Sequence, residues 1–204
     1  MARTADEQKR VDLLERIVDY VMANGLSDLS LRPLADAVGT SPRVLLYYFT
    51  SKEELIAGIM DGARARQRAI FEELPRNAAT YAETVRAAWD VMSAPRHEPV
   101  FRLFFEVYGL ALQDPKRFPG FLKRAVEDWL DYLEPSALAD GHTPRDARAI
   151  ATVLLAGYRG FLLDLCATRD RKRISRAVDM WIAALDAIPP PQPRSQELPD
   201  ERSR

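Results

Sequence analysis

The chain has 204 residues, 47% hydrophobic and 29% charged, with 29 Lys and Arg against 30 Asp and Glu for a formal net charge of −1. That balance predicts one large or two small folded domains able to bury a core, and excludes a disordered chain or one that coats nucleic acid through bulk charge. A single cysteine, Cys166, excludes an internal disulfide framework, and the N-terminus carries no signal-like apolar segment, so a soluble cytoplasmic protein is expected. No run reaches the roughly 18 uninterrupted apolar residues of a membrane helix. The longest candidate, Ala147 to Cys166, is interrupted by Arg148, Arg159 and Asp164.

Helical periodicity runs through the chain and strand alternation is nearly absent, which predicts an all-α fold. From about Thr4 to Asn24, Val11, Leu14, Ile17, Val18, Val21 and Met22 form an apolar stripe at three- and four-residue spacing, which Asn24-Gly25 stops. LSLRPLADAVG then reads as a short helix, with Ser30 as N-cap, Pro33 in the first turn and Gly39 at its end. Ser41 is a competent N-cap and Pro42 suits the first helical position, so Pro42 to Phe49 reads as a helix of two turns. Ser51 starts another, with Glu54 placed to close a capping box. Leu55, Ile56, Ile59, Met60, Ala63, Ile70 and Phe71 carry that helix from Lys52 to Leu74, before Pro75. Further helices are expected at about 80–93, 99–113, 116–134, 144–168 and 172–187, punctuated by Pro95, Pro99, Asp114-Pro115, Glu134-Pro135, Thr143-Pro144 and Pro189. Residues 189–204, Pro-rich and unpatterned, read as a disordered tail.

A helix as short as Pro42 to Phe49 does not hold alone in water, because nucleation outweighs so few bonds. Leu45 and Phe49 lie four apart and dock it on the first two helices, with Val44 and Tyr48 flanking and Pro42, Arg43, Leu46 and Tyr47 on the far side. Two short helices joined by GTS fit a helix-turn-helix, whose second helix enters the DNA major groove. The residues suit that role. Arg43 can present paired donors to a guanine edge or reach a phosphate, Pro42 and Leu46 can meet thymine methyls, and Tyr47 and Tyr48 can donate hydroxyls to phosphates. Ser30, Ser41 and Ser51 open three helices whose free N–H groups can face the anionic backbone, Lys52 adds charge, and Arg32 reaches the groove or the strand beside it. No acidic residue lies between Gly39 and Phe49, although residues 1–70 carry as many Asp and Glu as Lys and Arg. Ordinary packing of the two tyrosines fits the pattern as well.

PVFRLFFEVYGLAL is apolar nearly all round, the pattern of a buried helix. Its Phe101, Phe105 and Tyr108, together with Trp89, Met92, Phe121, Trp129 and Tyr132 from the neighbouring helices, either form a plain core or line a ligand cavity. Glu106 and Tyr108 are the polar candidates for orienting a ligand, unless Glu106 pairs with an arginine or faces solvent. Ala156, Gly157 and Gly160 permit close approach of another helix, and Arg159 and Asp164 can pair. His97 and His142 fall in expected loops and read as surface residues. No metal-ligand spacing, Gly-rich phosphate loop or nucleophile elbow is present, so no catalytic residue, metal or cofactor is expected.

LSLRPLADAVGTSPRVLLYYFTSKEELI, Leu29 to Ile56, resembles the DNA-binding signature of the TetR (tetracycline-repressor-like) transcriptional regulators. The matching parts are the Ala35 to Gly39 helix end, Leu45, the aromatic pair before Phe49, and Ser51-Lys52-Glu53 opening the fourth helix; by motif the likeness runs from about Arg10 to Met60. It implies a three-helix helix-turn-helix head, residues 1–50, joined by a long fourth helix to a C-terminal ligand-binding and dimerisation body, residues 51–188. The implied function is that of a homodimeric, ligand-responsive repressor. Its partners are a pseudo-palindromic double-stranded DNA operator and a small apolar or aromatic effector, with no membrane. Effector binding moves the fourth helix, spreads the heads and releases the operator. By position, the resemblance puts phosphate contacts at Ser30 and Lys52, base readout at Arg32, Pro42 and Arg43, and backbone-clamping aromatics at Tyr47 and Tyr48. Leu46 stands where the family commonly has Tyr, so a usual hydroxyl contact is missing there. RDARAIATVLLAGYRGFLLDLCAT and AVDMWIAALDAI resemble the two helices of the family's four-helix dimer interface. The other class compatible with these residues is a helical binding protein for an apolar metabolite that never meets DNA. It requires Arg43, Tyr47 and Tyr48 to pack inward.

Overall fold

One side of α1 (Ala2–Asn24) buries Leu13, Ile17, Val18, Val21 and Met22 in the computed structural model, which describes residues 2–27, 29–74 and 81–186. Ile17, Val18, Val21 and Met22 are buried as expected; only at the start of the stripe does it differ, where Val11 is exposed, Leu14 is half-buried and Leu13 takes the buried place. Gly25, at φ +87°, leads the chain out of α1. α2 (Leu31–Ala37) and α3 (Pro42–Phe49) then add Leu34, Ala35, Leu45 and Phe49 to the core built on that stripe. Complete burial of Leu45 and Phe49 stabilises α3 by roughly 1.5–3 kcal/mol each, enough to offset the nucleation cost of so short a helix.

α4 (Lys52–Glu72) starts where expected, with Ser51 Oγ accepting from Glu54 N–H at 3.1 Å. The Glu54 carboxylate, expected to return to Ser51, lies instead 3.7 Å from the Arg10 guanidinium of α1. α4 crosses α1 closely because Gly58 and Gly62 face Leu14 and Val18; a Cβ on Gly62 would lie 2.7 Å from Val18 Cγ2. Leu55, Ile56 and Ile59 complete the core of the head, and Leu103, Val107 and Ala111 from the body join it.

The body consists of α5 (Tyr81–Met92), a 3-10 turn (Pro95–His97), α6 (Glu98–Gln113), α7 (Phe121–Ala139), α8 (Pro144–Thr168) and α9 (Arg171–Asp186). α8 packs against α6, α7 and α9, and α5 closes on α9 around Trp89, Leu154, Tyr158, Ile174 and Val178. Among the described residues the fold is all helical, a helix-turn-helix head on a helical body. The expected stops at Pro75 and Pro189, the tail 189–204 and the side chain of Phe71 lie outside the described residues.

α7 begins at Phe121, after Gly120, rather than near Pro115; Asp114 Oδ1 instead accepts from Lys116 N–H at 3.2 Å in a turn. Pro135 lies inside α7, where it was expected to mark the end of the helix. Trp129, Leu130, Leu133 and Ala137 keep one buried period across it, and the donor that proline lacks deprives only the carbonyl of solvent-exposed Asp131. His97 is 7% exposed, with Nε2 3.4 Å from Glu73 Oε2, and so is not the surface residue its loop position suggested; His142 is half-buried. Arg159 and Asp164 take separate partners: Arg159 donates to the Ala125 carbonyl, while Asp164 accepts two N–H groups of Arg173 at 2.8 and 2.9 Å. Gly157 receives Trp181 of α9 within the same chain, where a Cβ would run into the indole ring.

α8 is the one described helix long and apolar enough, by length and composition, to cross a membrane, where no such run was expected. Its apolar residues divide. Ala151, Leu154, Leu155, Tyr158 and Leu162 face the chain's own core, while Val153, Ala156, Gly160 and Leu163 are exposed.

Candidate functional site

Ser41, at φ −118° and ψ 155°, caps α3 by accepting from Val44 N–H at 3.3 Å, and Pro42 takes the first helical position. With Leu45 and Phe49 held beneath, the same two turns direct Arg43, Val44, Leu46 and Tyr47 outward. Tyr47 is 70% exposed and Leu46 43%, so neither serves the core. Two arginines of α1 fix the ends of the short helices: Arg16 Nη1 donates to the Val38 carbonyl at 2.7 Å, and Arg10 Nε to the Tyr48 carbonyl at 3.3 Å. Cationic groups there oppose the negative ends of both helices. Their partners lie 22 and 38 residues away, so no local sequence signal announces them.

Ser30, Arg32 and Lys52 are exposed around α3, and Ser30 stands at the N-cap position of α2 in extended conformation without a side-chain capping bond. Tyr48 departs from the expectation that placed it beside Tyr47 on the DNA side. It is half-buried, and its hydroxyl donates to Asp6 Oδ1 of α1 at 3.0 Å. That bond, with burial second, raises the Tyr48 pKa above the ordinary tyrosine value. The outward phenol of α3 is therefore Tyr47's. Thr50, at φ +52°, reverses the chain between α3 and α4. The metabolite-binding alternative required Arg43, Tyr47 and Tyr48 to lie inside, whereas Arg43 and Tyr47 lie outside.

Behind α4 a cavity of about 320 Å³ opens among α4, α6 and α7. Of the aromatics expected around a cavity, Phe121, Trp129 and Tyr132 line it, joined by Phe104, Arg64 and Gln67, which sequence reasoning did not select as contacts. The other expected residues are dispersed. Met92 and Phe101 line a separate cavity of about 170 Å³ beside Cys166, whose thiol pKa is raised by burial. Trp89 is buried against Phe161, and Tyr108 stacks near Phe104 and Phe121 with the Arg159 guanidinium 5.2 Å from its ring centroid. Burial lowers the Arg159 pKa, against a smaller opposing effect of Tyr108.

Glu106 does not orient a ligand beside Phe121 and Trp129. It lies with Phe105 at a different hollow, and its Oε1 accepts from Leu26 N–H at 2.9 Å, Ser27 N–H at 2.6 Å and the Ser27 hydroxyl at 2.5 Å. This carboxylate ties α6 to the turn that ends α1. Nothing in the sequence around Glu106 marks a partner some 80 residues earlier.

Residues 13–59, from the buried stripe of α1 into α4, match the family described as bacterial regulatory proteins, tetR family. Over 171 residues the chain is 23% identical to the nucleoid occlusion factor SlmA of Actinobacillus pleuropneumoniae serotype 5b, covering 81% of each. Its fold is similar to that of a transcriptional regulator from Rhodococcus sp. Rha1, with a TM-score of 0.73 at 19% identity over 88% of this chain and 99% of that one. It is similar as well to a TetR-family transcriptional regulator from Cytophaga hutchinsonii, with a TM-score of 0.72 at 17% identity over 91% and 96%.

Proposed function

We propose that the chain, whose residues 13–59 match the tetR family of bacterial regulatory proteins, is a DNA-binding transcriptional regulator of that family and acts as a homodimeric repressor, released from a pseudo-palindromic operator by a small, largely apolar effector. The observation that carries this reading is α3, which exposes Arg43, Leu46 and Tyr47 together while its opposite side is fixed by Leu45 and Phe49. Laid in the major groove, it offers Arg43 to a base edge, Pro42 and Leu46 to thymine methyls and the Tyr47 hydroxyl to a phosphate. Arg32 stands beside it for a base edge or the neighbouring strand, and Ser30, Ser41 and Lys52 for the backbone.

The dimer forms through α8 and α9, where Val153, Leu163 and Met180 are exposed beside Ala156 and Gly160, small enough to admit a second helix pair. A two-fold dimer reads a pseudo-palindrome because the half-sites mirror its symmetry. α4 couples the two ends. Leu55, Gly58, Ile59 and Gly62 hold its head side, and Met60, Ala63, Arg64 and Gln67 line the cavity, so an effector that prefers a shifted α4 also shifts the head. The protein then acts in the cytoplasm, where operator DNA lies.

Band shifts on intergenic DNA near the gene test the reading. A salt-sensitive, sequence-selective shift is expected; its absence from all neighbouring intergenic DNA overturns the proposal.

A further inference from the structure

The cavity behind α4 holds polar atoms for which a merely apolar ligand has no use. Arg64 Nε and Gln67 Nε2 are buried and have no hydrogen-bond partner. Both residues line the cavity, three apart and hence on one face of α4. The far end of the Arg64 guanidinium is already engaged, with Nη2 donating to Asp128 Oδ2 of α7 at 2.7 Å. That bond fixes one end of the guanidinium, while Nε, buried on the same side chain, is left without an acceptor. A guanidinium only donates, so whatever meets it must accept. A buried donor without an acceptor is destabilising, a cost that an accepting ligand removes.

Phe104, Phe121 and Trp129 supply apolar wall, and a volume of about 320 Å³ is at the small end of the roughly 300–1,000 Å³ usual for ligand sites. The acidic residues of the lining do not favour a cation. Asp128 is engaged by Arg64, while Asp61 and Asp131 are exposed to water, as are Arg68 and Arg124.

We propose that the effector is a compact molecule with an apolar or aromatic body and a carbonyl or carboxylate oxygen that accepts from Arg64 Nε and Gln67 Nε2. This rests on the reading of the cavity as the effector site. The two donors on one helix face suit either one carbonyl oxygen shared between them or the two oxygens of a carboxylate. A cationic ligand leaves both donors unanswered and meets the Arg64 charge.

The test is binding of 2-naphthoate, methyl 2-naphthoate and 2-naphthylmethylammonium to the full chain by calorimetry, with operator release followed separately by band shift. The oxygen-bearing probes are expected to bind and the ammonium not; binding of the ester as well as the acid marks the neutral carbonyl as sufficient, and binding of the acid alone marks the carboxylate. Gln67→Leu, which removes the donor, should weaken the oxygen probes about five- to tenfold. Gln67→Glu, which replaces the donor by an anion, should turn the preference toward the ammonium, a gain that misfolding cannot imitate. The inference is overturned if neither oxygen probe binds, if the ammonium binds the wild-type chain more tightly than both, or if Gln67→Leu binds the oxygen probes undiminished. Oxygen probes that bind without releasing the operator leave the inference standing and overturn the cavity's inducing role. An ammonium probe that binds best and releases the operator does the reverse.

Discussion

Arg43 stands one turn before Leu46 and Tyr47, so a guanidinium, an apolar side chain and a phenol share the outer side of α3. Arg43→Ala should relax specificity at one base position at a cost of about 1–3 kcal/mol, whereas Lys52→Ala should weaken all sequences alike and reduce the salt slope by about 1. Salt-titrated band shifts on operator variants check this, and identical behaviour of the two variants contradicts the division of roles. The two tyrosines should separate as well. Tyr47→Phe is expected to weaken operator binding severalfold, while Tyr48→Phe acts first on stability, because the Tyr48 hydroxyl is held by Asp6. The Tyr48 pKa is raised, so its contribution is whole below the ordinary tyrosine value and lost as pH rises through the raised one. Thermal melts should therefore show the wild type losing its advantage over Tyr48→Phe only above about pH 10. The outward set of α3 was legible because Leu45 and Phe49 fix the helix's rotation. The fate of Tyr48 was not, since Asp6 lies 42 residues away.

Helix starts written in adjacent residues were read correctly. Ser41-Pro42 opens α3, Ser51 caps α4, and Thr143 Oγ1 accepts from Asp146 N–H at 3.2 Å to open α8. α7 was misread at its C-terminal end because packing of its buried side outranks the local stop at Pro135, and at its start because Asp114 holds the following residues in a turn. The crossing of α1 and α4 belongs to this scale too. Gly62→Ala gains up to about 1 kcal/mol of helix propensity. Its Cβ, however, would meet the stiff, buried Val18, and overpacking of that kind costs about 1–3 kcal/mol. Gly109→Ala, whose Cβ meets nothing within 4 Å, serves as the control. Melting curves should place Gly62→Ala at or below the wild type and Gly109→Ala above it.

For the molecule as a whole, α6 is bound at one end to the cavity and at the other to the head. Val100, Leu103 and Phe104 line the cavity, and Glu106 holds the turn after α1. Glu106→Ala should leave ligand affinity little changed while weakening operator binding in the ligand-free protein, as calorimetry and band shifts on the same preparation would show. Assembly is a second matter at this scale. Gly160 is exposed with open space around it, so Gly160→Arg should spare the folded chain and yield monomers with weakened operator binding. Sedimentation at fixed protein concentration reads the outcome, and a variant that remains a full dimer removes α8 from the interface.

Period, caps and an outward-facing arginine are properties of neighbouring residues, and the sequence alone therefore determined the helical fold, the short third helix and the side of it that faces away from the core. Only the tertiary structure decided which polar groups meet across the chain: Arg10 and Arg16 on the ends of the short helices, Asp6 on Tyr48, Glu106 on the turn after α1, and Arg64 on Asp128. Aromatic density likewise foretold a packed body, but only Phe121, Trp129 and Tyr132 of the rings it singled out line the cavity behind α4. A side chain's place on its own helix follows from spacing along the chain, whereas its partner on another helix follows from how the helices cross.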